Sequence, residues 1–164
     1  PRRLTAEQLI DALSDLTGIR ENFASVPPGI RATQLPAPDL KKHDREKIGD
    51  IEFLKVFGMP ERQTVCECER GDDSSLGQAL ELFNGKTLHG MLSDQNNRFH
   101  LAHQEKQATE AILTDLYLRA FSREPNEEEK KIAVEYFDTA RDKGQALEDI
   151  VWVAINRDEF LFQY

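Results

Sequence analysis

Cys66 and Cys68, followed at once by Glu69 and Arg70, form the densest group of reactive side chains in the sequence. In an extended segment alternate residues share a face, so both thiols would point one way and Glu67 and Glu69 the other. Cα atoms two residues apart in a strand are roughly 6.5–7 Å apart, the upper edge of disulfide geometry, so a bridge requires a bent backbone. The pair therefore has three readings: small buried thiols, a local redox-active disulfide, or half of a metal site. A metal needs more donors. His100 and His103, three apart on one helix face, would complete a Cys₂His₂ set, although Cys-x-Cys and His-x-x-His are both tighter than ordinary zinc spacings. Buried thiols are the commonest outcome for such cysteines, and histidines in a polar segment are usually exposed. No Cys-x-x-Cys-His motif is present. The sequence is read as holding no metal, no covalent haem and no other cofactor.

Glu69 and Arg70, with Arg62, could serve acid–base or anion chemistry. More often such residues form a bidentate ion pair that fixes an irregular segment to its neighbours. Arg119 and Arg123, four apart near a predicted helix end, suit the negative pole of the helix dipole, and Glu127, Glu128 and Glu129 suit the positive pole of the next helix. Ion-pair networks are commoner than catalytic dyads. There is no GxSxG elbow, no glycine-rich phosphate loop and no HExxH helix. No catalytic residue is assigned.

The elements that would position these residues are helical. Thr5 with Gln8, Ser75 with Gln78 and Asn126 with Glu129 have the spacing of capping boxes. Leu9, Ile10, Leu13 and Leu16 form one stripe, with Gly18 as its stop. A short helix is expected from about Ile51 to Phe57, and another through Leu76, Ala79, Leu80, Leu82 and Phe83. The pattern is weak between Met91 and Gln104. It recovers through Ala108, Ile112, Leu116 and Phe121, then through Ile132, Ala133, Tyr136, Phe137 and Ala140 as far as Gly144. Leu147, Ile150, Val151, Ala154 and Ile155 line a final helix, followed by an aromatic tail at Phe160-Leu161-Phe162. The only run of alternating character is near Arg62 to Glu69.

Residues 22–39 differ in kind. Pro27, Pro28, Pro36 and Pro38 remove backbone donors and extend the residues before them. Val26, Ile30 and Leu35 nevertheless give this stretch apolar surface. It reads as an ordered irregular crossing, with some of these side chains packed beneath the helices and others forming a surface for a partner. Residues 40–50 read as a charged loop. The expected architecture is therefore all-α: one compact multi-helix domain over residues 1–164, with a proline-rich crossing and at most one short extended segment.

A chain of 164 residues with 21 basic and 30 acidic side chains, net −9, suits one such domain. Its charge argues against a nucleic-acid partner, whose phosphates need clustered Lys and Arg. Apolar runs are too short for membrane insertion. The opening Pro1-Arg2-Arg3-Leu4 resembles neither an initiator start nor a signal peptide, so the sequence reads as a fragment of a longer chain.

Several blocks, in order, carry a family resemblance: Arg2-Arg3-Leu4-Thr5-Ala6-Glu7-Gln8-Leu9, Gln34-Leu35-Pro36, Phe53-Leu54-Lys55-Val56-Phe57-Gly58-Met59-Pro60, and Val65-Cys66-Glu67-Cys68-Glu69-Arg70. Leu116-Tyr117-Leu118-Arg119-Ala120-Phe121-Ser122-Arg123-Glu124-Pro125, Ala146-Leu147-Glu148-Asp149-Ile150-Val151-Trp152 and Glu159-Phe160-Leu161-Phe162 continue it. The sequence resembles a C-terminal domain of unknown function found in large exported planctomycete proteins. Residues 40–50 and 91–104 depart from that pattern. The resemblance implies an exported or periplasmic location and further domains upstream, often one like cytochrome c. It carries no catalytic residue with it. Two functional readings result. One is a non-enzymatic interaction module that packs against upstream domains of the same chain, through Val26, Ile30 and Leu35. The alternative is an accessory redox or enzymatic domain using Cys66 and Cys68, or Glu69 and Arg70.

Overall fold

Thr5 starts the first helix with a reciprocal cap. Its hydroxyl accepts from Gln8 N at 3.3 Å, and Gln8 Oε1 accepts from Thr5 N at 3.0 Å. Each bond satisfies a donor that a helix start otherwise leaves free. Helix α1 (Ala6–Thr17) ends at Gly18, whose φ of 80° is the left-handed conformation that glycine enters without a Cβ penalty. Leu9, Ile10, Leu13 and Leu16 are buried, as their spacing predicts. Arg98, distant in sequence, donates to Leu16 O at 3.2 Å and so places a cation on the negative pole of α1.

The computed structural model describes residues 2–23, 26–35 and 85–163. The predicted helices at 51–57 and 76–83, the charged loop at 40–50, the alternating run at 62–69 and the Cys66–Arg70 segment lie outside the described residues. So do Pro36 and Pro38.

After α1, a single 3-10 turn occupies Ala32–Gln34. The described chain resumes with α2 (Lys86–Ser93), α3 (Arg98–Gln104), α4 (Thr109–Phe121), α5 (Glu127–Thr139), α6 (Lys143–Ile155) and α7 (Asp158–Leu161). Strand β1 (Arg2–Arg3) pairs antiparallel with β2 (Phe162–Gln163), with Arg3 opposite Phe162. Leu4 N donates to Leu161 O at 3.0 Å and extends that closure. Helices α1 and α6 are central: α1 packs on α2, α3, α4 and the 3-10 turn, and α6 on α2, α3, α4, α5 and α7. The domain is all-α, and its terminal ribbon is only two residues deep.

The structure departs from the sequence pattern in four places. The weak stretch at 91–104 holds the end of α2 and the whole of α3. Its organiser is Asn97, 2% exposed, whose Oδ1 caps Phe99 N at 3.0 Å while Nδ2 donates to Met91 O at 2.9 Å. Gly144 does not stop a helix. It lies in the first turn of α6, where an added Cβ would stand 3.3 Å from Asp142 Oδ1 and 3.6 Å from His100 Cε1. The aromatic tail, to which the sequence pattern gives no element, forms α7 and one strand of the ribbon: Phe160 is buried, and Phe162 pairs with Arg3. On α5 only Phe137 of the predicted stripe is buried, whereas Ile132 is 62% and Tyr136 46% exposed.

The Asn126 box does form, with Glu129 N donating to Asn126 Oδ1 at 2.8 Å and Asn126 N to Glu129 Oε2 at 2.9 Å. Asn126→Ala is expected to cost about 1 kcal/mol, read as a lower urea midpoint at unchanged slope.

Candidate functional site

The proline-rich crossing is held to α1 by two carboxylates on one helix face. Asp11, 7% exposed, accepts from Ala32 N at 2.8 Å, from Thr33 N at 3.1 Å and from Thr33 Oγ1 at 2.7 Å. One turn later, Asp15 takes a bidentate fork from Arg31 at 3.1 and 2.6 Å. Arg31 Nε also lies 3.5 Å from Asp11. A chain that cannot form a ladder thus finds its acceptors on a neighbouring helix, which satisfies backbone donors that such a segment would otherwise leave unpaired. Beside this clamp is a shallow depression lined by Asp15, Arg20, Glu21, Phe23, Ile30 and Arg31. Burial there pushes the Glu21 carboxyl above the ordinary carboxylate range.

The clamp settles where the three apolar residues go. Leu35 is 4% exposed and belongs to the core. Val26 and Ile30 pack against that core but stay partly exposed. Leu35 is therefore the side chain that packs beneath the helices, which removes it from the surface expected of the crossing, whereas Val26 and Ile30 keep part of their surface in water.

Of the other sequence candidates, Cys66, Cys68, Glu69 and Arg70 lie outside the described residues. His100 is buried, and its Nε2 is 3.1 Å from Leu92 O and 3.3 Å from Glu148 Oε1. A carbonyl only accepts, so this geometry assigns the proton to Nε2. His103 meets Phe137 edge-on, with ring centroids 5.5 Å apart. Both histidines thus fasten α3 to its neighbours. Among the described residues no group of three or more His, Cys, Asp or Glu is placed to hold a metal.

Arg119 and Arg123 divide. Arg119 pairs with Asp115 one turn back at 2.9 Å. Arg123 lies beyond the end of α4, so the dipole reading does not describe it. It forks onto Glu129 at 2.9 and 3.0 Å and onto Glu159 at 2.7 and 2.8 Å. Arg157 adds a bond to Glu129 at 2.8 Å. The Arg123 guanidinium lies over Tyr117 and Phe121 at 5.4 and 5.5 Å. Hydrogen bonding from Arg123 pulls the Glu129 carboxyl down to about 2 and lowers Glu159 in the same direction. Two cations and two anions balance here, so the cluster ties α4, α5 and α7 together and leaves no net charge for a ligand.

A second apolar surface escaped the sequence pattern. Ile132, Tyr136 and Val153, at 56% exposure, lie on the outside of α5 and α6. The signal was present: Ile132 and Phe137 are about 140° apart around a helix, too wide for one buried stripe.

No curated protein and no solved structure matches the chain. One family model does, over residues 1–137, under the description "Protein of unknown function (DUF1553)". That match spans α1, the crossing, Asp11, Asp15 and Arg123, and reaches into α5 as far as Phe137, so the clamped crossing stands inside the shared region of a chain that belongs to this family of unknown function, DUF1553.

Proposed function

We propose that this domain is a non-enzymatic helical interaction module that packs, through the crossing and α1, against domains preceding it in a larger exported protein. The observation that carries the reading is the clamp: Asp11 holds the backbone at residues 32 and 33, and Asp15 holds the Arg31 side chain beside them, while Val26 and Ile30 remain partly exposed. Apolar groups on a backbone already ordered lose little entropy on docking. They also remove apolar surface from water when covered. Pro27 and Pro28 stiffen the same stretch. The exported setting and the upstream partner rest on the sequence resemblance. No helix among the described residues is long and apolar enough to cross a membrane, so a membrane contribution from those helices is not part of the reading.

The experiment adds the separately expressed upstream region to this chain and measures binding by calorimetry. Saturable binding, weakened about tenfold or more by Ile30→Asp in a variant with an unchanged circular dichroism spectrum, is the expected result. Absence of binding at high concentration, with both pieces folded, would remove the docking role.

A further inference from the structure

We propose that the outer face of the α5–α6 hairpin is a second docking surface, and that its partner is an amphipathic helix whose apolar stripe is flanked by lysine or arginine. Three residues link α5 to α6, so the helices run antiparallel. The Tyr136 hydroxyl donates to Asp149 Oδ2 across the hairpin and fixes its register. One turn back on α5 is Ile132, and one turn forward on α6 is Val153. Antiparallel geometry therefore brings these two to the same level. They are 62% and 56% exposed, and Tyr136 beside them is 46% exposed. Single exposed apolar residues are ordinary on a protein surface, but three across the seam of two packed helices form a continuous strip. The shallow seam between two helices is the shape that receives a third helix through anchors at helical spacing.

Charge selects the class of partner. Glu128 and Glu135, both exposed, lie one turn before and after Ile132 on the same side of α5. Asp149 lies one turn before Val153, where it accepts from Tyr136 and from Gln145 Nε2 at 3.0 Å. Lys131 is about 100° around the helix from Ile132. Arg157, one turn beyond Val153, directs its guanidinium to Glu129 and Glu159. The strip is thus edged by three carboxylates against one exposed cation among its described neighbours, Lys131, which lies one turn before Glu135 and on its far side from Ile132, on a chain of net charge −9. Electrostatic complementarity then favours a basic helix and opposes an acidic one of equal apolarity. A second copy of this chain would bring the same carboxylates against themselves.

The test uses the 164-residue chain and two synthetic amphipathic peptides with the same leucine stripe, one with lysine and one with glutamate on its polar face. The lysine peptide is expected to bind saturably, and more weakly as salt is added. Ile132→Asp and Val153→Asp should each weaken it about tenfold or more, and Glu135→Lys should also weaken it. These positions are largely exposed, so circular dichroism should be unchanged; Ile132→Ser serves if the aspartate variant fails to fold. Equal binding of the two peptides, or lysine-peptide binding untouched by folded variants at 132 and 153, would overturn the proposal. Dimerisation of the wild-type chain that Ile132→Asp abolishes would overturn it in favour of a second copy.

Discussion

Asp11→Ala is expected to destabilise the domain by about 2–4 kcal/mol, because it strips the acceptor from a buried backbone donor and adds the loss of a charge-assisted pair. Ala32 is 0% exposed, so its N–H, 2.8 Å from Asp11 Oδ1, has no access to water once the carboxylate is gone. Thr33 is exposed and can rebond to solvent, which keeps the cost below that of two orphaned groups. For a domain of this size the melting temperature should fall by roughly 2–4 °C for each kcal/mol. Asp11→Asn, with one oxygen left to accept, should fall between. Calorimetric melting of the three proteins checks the order; an alanine variant that melts with the wild type would show that the crossing is not held through Asp11.

The second large effect concerns the clasp around Glu129. Glu129→Gln removes the charge shared by Arg123 and Arg157 and is expected to cost about 1–3 kcal/mol near neutral pH. The figure is kept below that of a fully buried pair because both guanidiniums are 36–37% exposed and partly hydrated. The sign of the pH dependence follows from proton uptake. The folded carboxyl titrates at about 2, below its unfolded value, so the unfolded chain binds the proton first. The stabilisation is therefore complete above the ordinary carboxylate range and is lost as the pH falls towards about 2. Melting temperatures measured downward from neutral should drop through that window, and the Glu129→Gln profile should be flatter. Parallel profiles would show that Glu129 contributes no linked protonation.

What the sequence disclosed follows from the range of each interaction. The Thr5 and Asn126 boxes and the Gly18 stop are complete within four residues, so spacing alone identifies them. The Asp11 clamp spans 21 residues and the Arg123–Glu159 fork spans 36, and in sequence each looks like a solvated charge. Asn97 hides among polar neighbours because its contribution is to satisfy Met91 O through the side chain, which leaves no periodic trace. The terminal ribbon escaped for the same reason: Arg3 and Phe162 meet only in the folded chain. For the site, the crossing was legible from its prolines and apolar residues, but the division of labour was not. Leu35 packs inward and Ile30 stays partly outside, with the backbone between them held by Asp11 and the Arg31 side chain by Asp15. The α5 face is not legible from residue types alone, because Ile132 and Phe137 are both apolar while their angles spread over two sides of the helix.

In the proposed arrangement the clamped crossing receives the upstream domains of the same protein. Amide hydrogen exchange of this chain, with and without the separately expressed upstream region, tests it most directly. Added protection concentrated in residues 26–35 and the exposed edge of α1, absent in Ile30→Asp, is the predicted result. Unchanged exchange across residues 26–35 in a mixture where both pieces are folded, or protection confined to other helices, would contradict it.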